Sequence, residues 1–140
     1  MKSLSALTLV ALAGLAVPAL AETPANLAKI HLDAVGAGDV PKITAQYNAT
    51  SSLAWVGGPL NGTFIGPQQL AEVWGKFAKA QAPLKVTVRD MKESGNPAGS
   101  TVTADVVFTG KNTLKIRYVM LYRGDNLVDE VFQIDPKMAD

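Results

Sequence analysis

The sequence contains no cysteine and only one histidine, His31. The absence of cysteine excludes disulfides, thiolate nucleophiles, Cys-ligated zinc and iron–sulfur clusters, and a single His excludes a His-rich metal site. Charge is balanced, with 13 Lys and Arg against 12 Asp and Glu, whereas nucleic-acid-binding proteins usually carry a basic excess. We therefore expect no metal, no cofactor and no nucleic-acid partner. The 140 residues, 48% of them apolar, suffice for one small domain.

The first 21 residues have the pattern of a secretory signal peptide. Lys2 supplies a positive charge, residues 4–17 form an uncharged run of mostly Leu, Ala and Val, and small residues precede a cleavage point after Ala21. This run is shorter than the roughly 20 apolar residues that a membrane span needs. The sequence thus predicts a signal peptide over 1–21, a single domain over 22–140, a periplasmic or secreted location, and no membrane association after cleavage.

The first half of the mature chain reads as helical. Thr23 is a plausible N-cap, with Pro24 at the first helical position and apolar residues at helical spacing up to Gly36. Asp39 caps a second, short helix, and a third begins at Gly66–Pro67 and runs to about Ala80. Between the second and third helices the pattern predicts three features: a turn over 48–52, a short strand over 53–56 and further turns over 57–62.

The second half changes to an alternation of apolar and polar residues, which is typical of half-buried strands. Gly-rich turns separate these strands. Four strands are predicted. The first begins at Leu84, and the other three span Thr101–Thr109, Leu114–Arg123 and Leu127–Asp135. Three helices followed by strands joined by hairpins predict an α+β domain in which a curved antiparallel sheet packs around the helices.

Several short sequence segments, and the order in which they occur, resemble the NTF2-like superfamily and in particular its SnoaL-like branch. Residues Ile30–Asp39 (IHLDAVGAGD) resemble the first helix of that family and its Gly-Asp break. Leu60–Pro67 (LNGTFIGP) resembles the entry into its third helix, and Trp74 and the hairpin Tyr122–Asp125 fit as well. The resemblance covers nearly all of residues 23–135.

The resemblance implies a cone-shaped domain with a pocket between sheet and helices, and a homodimer formed through the outer surface of the sheet. In ketosteroid-isomerase and polyketide-cyclase relatives, an acid or base often lies on the strand after the second helix. Here that segment, Leu53–Gly58, has no titratable side chain. Because the scaffold hosts many functions, function depends on individual residues.

Two residues are candidates for acid–base catalysis, His31 and Glu130. His31 lies on the apolar stripe of the first helix, where it either packs in the core or faces a pocket. Glu130 alternates with apolar residues on the last strand, and a carboxylate there is costly unless it is partnered or reached by water. We favour the orientation of the last strand in which the Glu130 side chain points into the domain. In the other orientation, Asp129 would take its place as the candidate acid. If His31 and Glu130 lie in the same pocket, they would form an acid–base pair. The alternative is that Glu130 forms a salt bridge with Arg117 or Lys115 on the neighbouring strand.

Large apolar and aromatic side chains are the candidates for a ligand pocket. Most such residues form cores, but so many in a small domain could also wall an apolar cavity, with tyrosine hydroxyls as orienting donors. The candidate pocket residues are Tyr47, Trp55, Trp74, Tyr118, Met120 and Phe132.

Three functions are compatible with these features. The favoured one is an exported, non-catalytic protein that binds a small apolar ligand in its cone. The second is an enzyme of isomerase, cyclase or dehydratase type, in which His31 or Glu130 moves a proton while Tyr118 or Tyr47 stabilises an oxyanion. The third is a structural or accessory dimer whose cone is filled by its own side chains.

Overall fold

The computed structural model describes residues 14–15 and 22–140. The predicted signal peptide therefore lies outside the described residues, apart from Gly14 and Leu15. The described part contains three helices and six strands. In chain order they are α1 (Pro24–Ala37), α2 (Val40–Thr44), β1 (Tyr47–Val56), β2 (Gly62–Ile65), α3 (Gly66–Gln81), β3 (Lys85–Asn96), β4 (Gly99–Thr109), β5 (Thr113–Arg123) and β6 (Asn126–Ile134).

The first two helices begin at the predicted caps. The Thr23 hydroxyl accepts a hydrogen bond from the backbone N–H of Asn26 at 3.2 Å, and the Asp39 carboxylate accepts one from Lys42 at 3.2 Å. Both bonds satisfy an N–H that has no partner within its helix. No helix in residues 14–15 and 22–140 is long and apolar enough to cross a membrane.

Gly38 ends α1 in the left-handed conformation, with φ of 69°. An added Cβ at this position would lie 2.6 Å from the Cβ of Ala82, which follows α3. Glycine is therefore needed both for the backbone angle and for the close approach of the two helix ends. This contact holds the C-terminal end of α1 against the end of α3.

The six strands form one curved, open sheet in the order β2-β1-β6-β5-β4-β3. All neighbouring pairs are antiparallel, as predicted, except β1 and β6, which are parallel. Because β1 and β6 are far apart in sequence, no hairpin joins them, and local turn signals could not indicate their pairing. The sheet is mixed at this one pair, and the predicted α+β cone is otherwise confirmed.

The region between α2 and α3 differs most from the prediction. Residues 48–52 were predicted to form a turn, but they belong to β1, which begins at Tyr47. Gly62 was predicted to end a turn region and residues 63–65 were assigned to no element, but residues 62–65 form β2, which pairs with β1. The other four strands start within two residues of their predicted positions, and β4, β5 and β6 also end within one residue of them.

The inner face of the sheet packs against the helices and forms the core. On β4 and β5 the predicted alternation is confirmed, since Val102, Val106, Ile116 and Tyr118 are all fully buried. The aromatic residues of α3 meet this face. Trp55, Trp74, Phe77, Phe108 and Phe132 form a cluster with ring centroids 4.2–6.5 Å apart.

Candidate functional site

Glu130 lies at the centre of a buried group of polar side chains. Its side chain has no exposed surface, and its two oxygens accept hydrogen bonds from three donors. The Tyr47 hydroxyl donates to Oε1, the Tyr118 hydroxyl donates to Oε2 at 2.6 Å, and His31 Nε2 lies 3.0 Å from Oε2. Trp74 Nε1 donates to the Tyr47 hydroxyl at 2.7 Å. We call these five residues the Glu130 network.

Local irregularity in β6 turns Glu130 inward. The pairing register of β5 and β6 shifts at the start of β6, where Tyr122 pairs with Leu127 but Leu121 pairs with Asp129. A bulge of this kind places two residues opposite one. As a result Leu127 and Glu130 are both buried, although strict alternation would put them on opposite faces. The favoured inward orientation of Glu130 agrees with this burial.

His31 reaches the same site from α1. It lies on the buried stripe of that helix and is fully buried. Its ring packs edge-on against the rings of Tyr47, Trp74 and Tyr118, at centroid distances of 5.8, 6.1 and 6.2 Å. The structure therefore makes His31 a hydrogen-bonded core residue that also contacts the candidate acid.

The hydrogen-bond pattern assigns the protons of this group. Tyr118 uses its only O–H on Glu130, so both neighbours of His31 Nε2 are acceptors, and Nε2 must carry the ring proton. His31 Nδ1 is then a lone pair, and it is buried without a partner among the described residues. A second proton on Nδ1 would place an unpaired donor in the core.

The environment of Glu130 also acts on the tyrosines. Burial raises the pKa of Tyr47 and Tyr118 well above the ordinary value, and the charge of Glu130 raises both further. Burial and Glu130 together raise the pKa of Tyr122 as well. The Tyr122 hydroxyl donates to Gln46 Oε1 at 2.8 Å. All three hydroxyls are therefore held in the protonated, donating form.

The alternative pairing of Glu130 with a basic residue on the neighbouring strand is wrong. Arg117 lies on the outer face, within 3.6 Å of Asp105 and 3.9 Å of Asp135, and Lys115 pairs with Asp140. Asp129, the substitute candidate, is exposed and accepts a hydrogen bond from Ser52. The buried carboxylate thus takes its donors from tyrosines and histidine alone.

An apolar cavity of about 180 Å³ lies between the C-terminal half of α3 and strands β1, β5 and β6. Most of its wall is aromatic or aliphatic. Its lining residues are Trp55, Pro59, Leu60, Lys76, Phe77, Ala80, Gln81, Leu114, Phe132 and Ile134. Phe132 also packs edge-on against Tyr118, at a centroid distance of 5.4 Å. Trp55 and Phe77, which also line the cavity, pack against Trp74 at centroid distances of 5.3 and 5.7 Å. Aromatic rings of the cavity wall therefore separate the apolar cavity from the Glu130 network.

A second, polar cavity of about 400 Å³ lies next to the first, between β2 and α3. The two cavities share Pro59, Leu60 and Lys76, which form the wall between them. The second cavity is also lined by Asn61, Phe64, Gln69, Glu72 and Val73. We refer to the two as the apolar cavity and the polar cavity.

The candidate pocket residues divide between the two sites. Trp55 and Phe132 line the apolar cavity, whereas Tyr47, Trp74 and Tyr118 belong to the Glu130 network. Met120 is fully buried opposite Glu130 on β5 and does not line the apolar cavity.

Sequence reasoning missed Lys76, Phe77 and Leu60 as lining residues. The helical spacing of Lys76 and Ala80, four residues apart, is the signal that would have placed both on one face of α3.

The residues described contain no group of three His, Cys, Asp or Glu side chains that could hold a metal ion. A match to the SnoaL-like domain family model covers residues 28–126. The chain therefore belongs to the SnoaL-like family. No functionally curated protein of similar sequence was found.

Solved structures with this fold come from several bacteria. An NTF2-like protein of unknown function from Pseudomonas putida KT2440 is 16% identical, with a TM-score of 0.66 over 79% of this chain and 84% of that one. A ketosteroid isomerase-like protein from Erwinia carotovora atroseptica is 17% identical, with a TM-score of 0.61 over 77% and 90%. A protein of unknown function with a cystatin-like fold from Nostoc punctiforme is 13% identical, with a TM-score of 0.67 over 85% and 98%. At these low sequence identities, the structural similarity establishes the fold of this chain.

Proposed function

We propose that this protein is an exported, non-catalytic binding protein that holds a small apolar molecule in the apolar cavity. The observation that carries the proposal is the wall of that cavity, which is built from Trp55, Phe77, Leu114, Phe132 and Ile134 with few polar groups. Ligand sites are typically concave and mostly apolar, with a small number of polar groups that fix orientation.

The volume of the apolar cavity limits the size of the ligand. Drug-sized ligands usually occupy about 300 Å³ or more, and the cavity measures about 180 Å³. A dry cavity of roughly 150 Å³ in another protein accommodates benzene. We therefore expect a ligand with one aromatic ring or a short branched chain.

The state of Glu130 supports the non-catalytic form of the proposal. A general base needs a free lone pair within hydrogen-bond reach of the substrate. Both oxygens of Glu130 already accept hydrogen bonds, and its side chain has no exposed surface. In this state Glu130 is enclosed by its donors and presents no surface to a ligand in the cavity, and the Glu130 network stabilises the core behind the cavity.

A benzene titration tests the binding proposal. We expect the protein, purified after expression of the full chain, to bind benzene with a Kd of about 1 mM or tighter, measured by calorimetry. Ala80 lines the cavity from the exposed side of α3, so Ala80→Leu should fill the cavity and weaken binding at least about tenfold. Ala80→Ser keeps the volume and serves as the control. An absence of benzene binding by the unaltered protein would refute the proposal.

Export and dimer formation are further parts of the proposal. The leader pattern supports cleavage after Ala21, and Ala54, Val119, Leu121 and Val131 provide apolar surface on the outer face of the sheet. Native mass spectrometry of the protein from an exported fraction should give a dimer whose subunits begin at Glu22. Full-length subunits would contradict cleavage after Ala21, and absence of the protein from the exported fraction would contradict export. Monomers at micromolar concentration would contradict the dimer.

A further inference from the structure

Lys76 is the one charged residue among those that line the apolar cavity. Its side chain is exposed, and its ammonium makes no ion pair with any residue in the described part of the chain. A lysine in this position can lay its methylene stem along an apolar wall and keep its charge at the rim. The rim thus carries a cation that forms no ion pair in the described part of the structure, although Glu72 lies one helical turn before it on α3.

Gln81 is the second polar side chain in the lining, and it also has hydrogen-bond donors to offer. Its Oε1 accepts a hydrogen bond from Asn112 Nδ2 at 3.2 Å. The side-chain amide of Gln81 therefore has its N–H groups left for a ligand. Both polar groups at the rim, Lys76 and Gln81, are donors, and one of them is positively charged.

We propose that the ligand of the apolar cavity is a small carboxylic acid, bound with its apolar body inside and its carboxylate at Lys76 and Gln81. The inference rests on the proposed function and adds the chemical class of the ligand. A carboxylate only accepts hydrogen bonds, so it matches a rim that donates them. An amine would meet the charge of Lys76 and would be repelled.

The polar cavity restricts where the carboxylate can lie. Glu72 lines that cavity one helical turn before Lys76, and its charge disfavours an acid that extends past Leu60. The carboxylate is therefore confined to the Lys76 end of the apolar cavity. Together with the volume of about 180 Å³, this selects acids with a single ring or a short branched chain next to the carboxylate.

The test compares phenylacetate with phenylacetamide, which has nearly the same shape but no charge. We expect the unaltered protein to bind the acid about fivefold more tightly than the amide at low ionic strength, which is the scale of a partly exposed ion pair. The preference should decrease in high salt because screening weakens exposed charge pairs. Lys76→Gln should bring the ratio of acid affinity to amide affinity close to one. Lys79→Gln removes a charge from α3 outside the cavity lining and should keep the preference.

Each other outcome counts against a specific statement. Equal binding of acid and amide by the unaltered protein would overturn the carboxylic-acid inference and leave the cavity proposal standing. Benzene binding without binding of either phenyl compound would also overturn the inference alone. A preference that survives Lys76→Gln, or that Lys79→Gln abolishes equally, would overturn the role of Lys76. A protein that binds neither benzene nor the phenyl compounds would contradict the proposed function itself.

Discussion

Glu130→Gln should lower the free energy of unfolding by about 3 kcal/mol, measured by urea denaturation near neutral pH. The amide is nearly the same size as the carboxylate, so packing changes little. It carries no charge, however, and its NH₂ group would face either Tyr47 or the pair of Tyr118 and His31, all of which donate to Glu130. At least one buried donor would lose its acceptor.

Asp129→Asn is the matched control for this change. Asp129 is the preceding residue on β6, but it is exposed, with a hydrogen bond from Ser52 on the outer face. We expect this substitution to cost less than about 1 kcal/mol, as is usual for surface positions. If Glu130→Gln cost no more than Asp129→Asn, the Glu130 network would not be a significant contributor to stability.

None of the three tyrosines should ionise at pH 11 while the protein is folded. An unperturbed tyrosine, with a pKa of about 10, is roughly nine-tenths ionised at that pH. Burial and the charge of Glu130 raise the pKa of Tyr47, Tyr118 and Tyr122, which are all the tyrosines in the chain. The near-ultraviolet absorbance of tyrosinate should therefore appear only as the protein unfolds.

The same shift determines how stability depends on pH. The unfolded chain releases tyrosine protons near pH 10, whereas the folded protein keeps them. The stability that the tyrosines contribute is therefore complete below about pH 10 and is lost above it, by about 1.4 kcal/mol per pH unit for each tyrosine. Protein denatured in urea provides the control titration near pH 10. Tyrosinate absorbance in fully folded protein at pH 10 to 11 would contradict the buried positions of these hydroxyls.

The helix caps and the strand alternation could be predicted from local sequence, but the first half of β1 could not. Asn48 Oδ1 accepts hydrogen bonds from the backbone N–H of Thr50 and from the Ser51 hydroxyl, which is the chemistry of a turn. That chemistry is present, but it occurs in a strand. The register of β1 against β6 shifts between Tyr47 and Ser52, so the local turn bonds lie in an irregular part of the parallel pair.

The sequence indicated which residues could belong to the candidate site, but it did not indicate how they are arranged. The helical stripe placed His31, and Glu130 was favoured inward although alternation alone left the face of β6 open. Their contact depends on α1 packing across the sheet. Residues 31 and 130 are 99 positions apart, and no local pattern specifies such a distance. The apolar cavity was harder still, because Lys76 and Ala80 look like ordinary exposed helix residues until Leu60 and Phe132 are packed beside them.

The most direct test of the binding proposal is a nuclear magnetic resonance titration with benzene, observed at the two tryptophan indole N–H signals. Trp55 lines the apolar cavity, whereas the Trp74 N–H is used in a hydrogen bond to Tyr47. We predict a saturable shift of the Trp55 signal, a much smaller change at Trp74, and loss of the Trp55 shift in Ala80→Leu. If neither signal moved, or if only the Trp74 signal moved, the apolar cavity would not be the binding site.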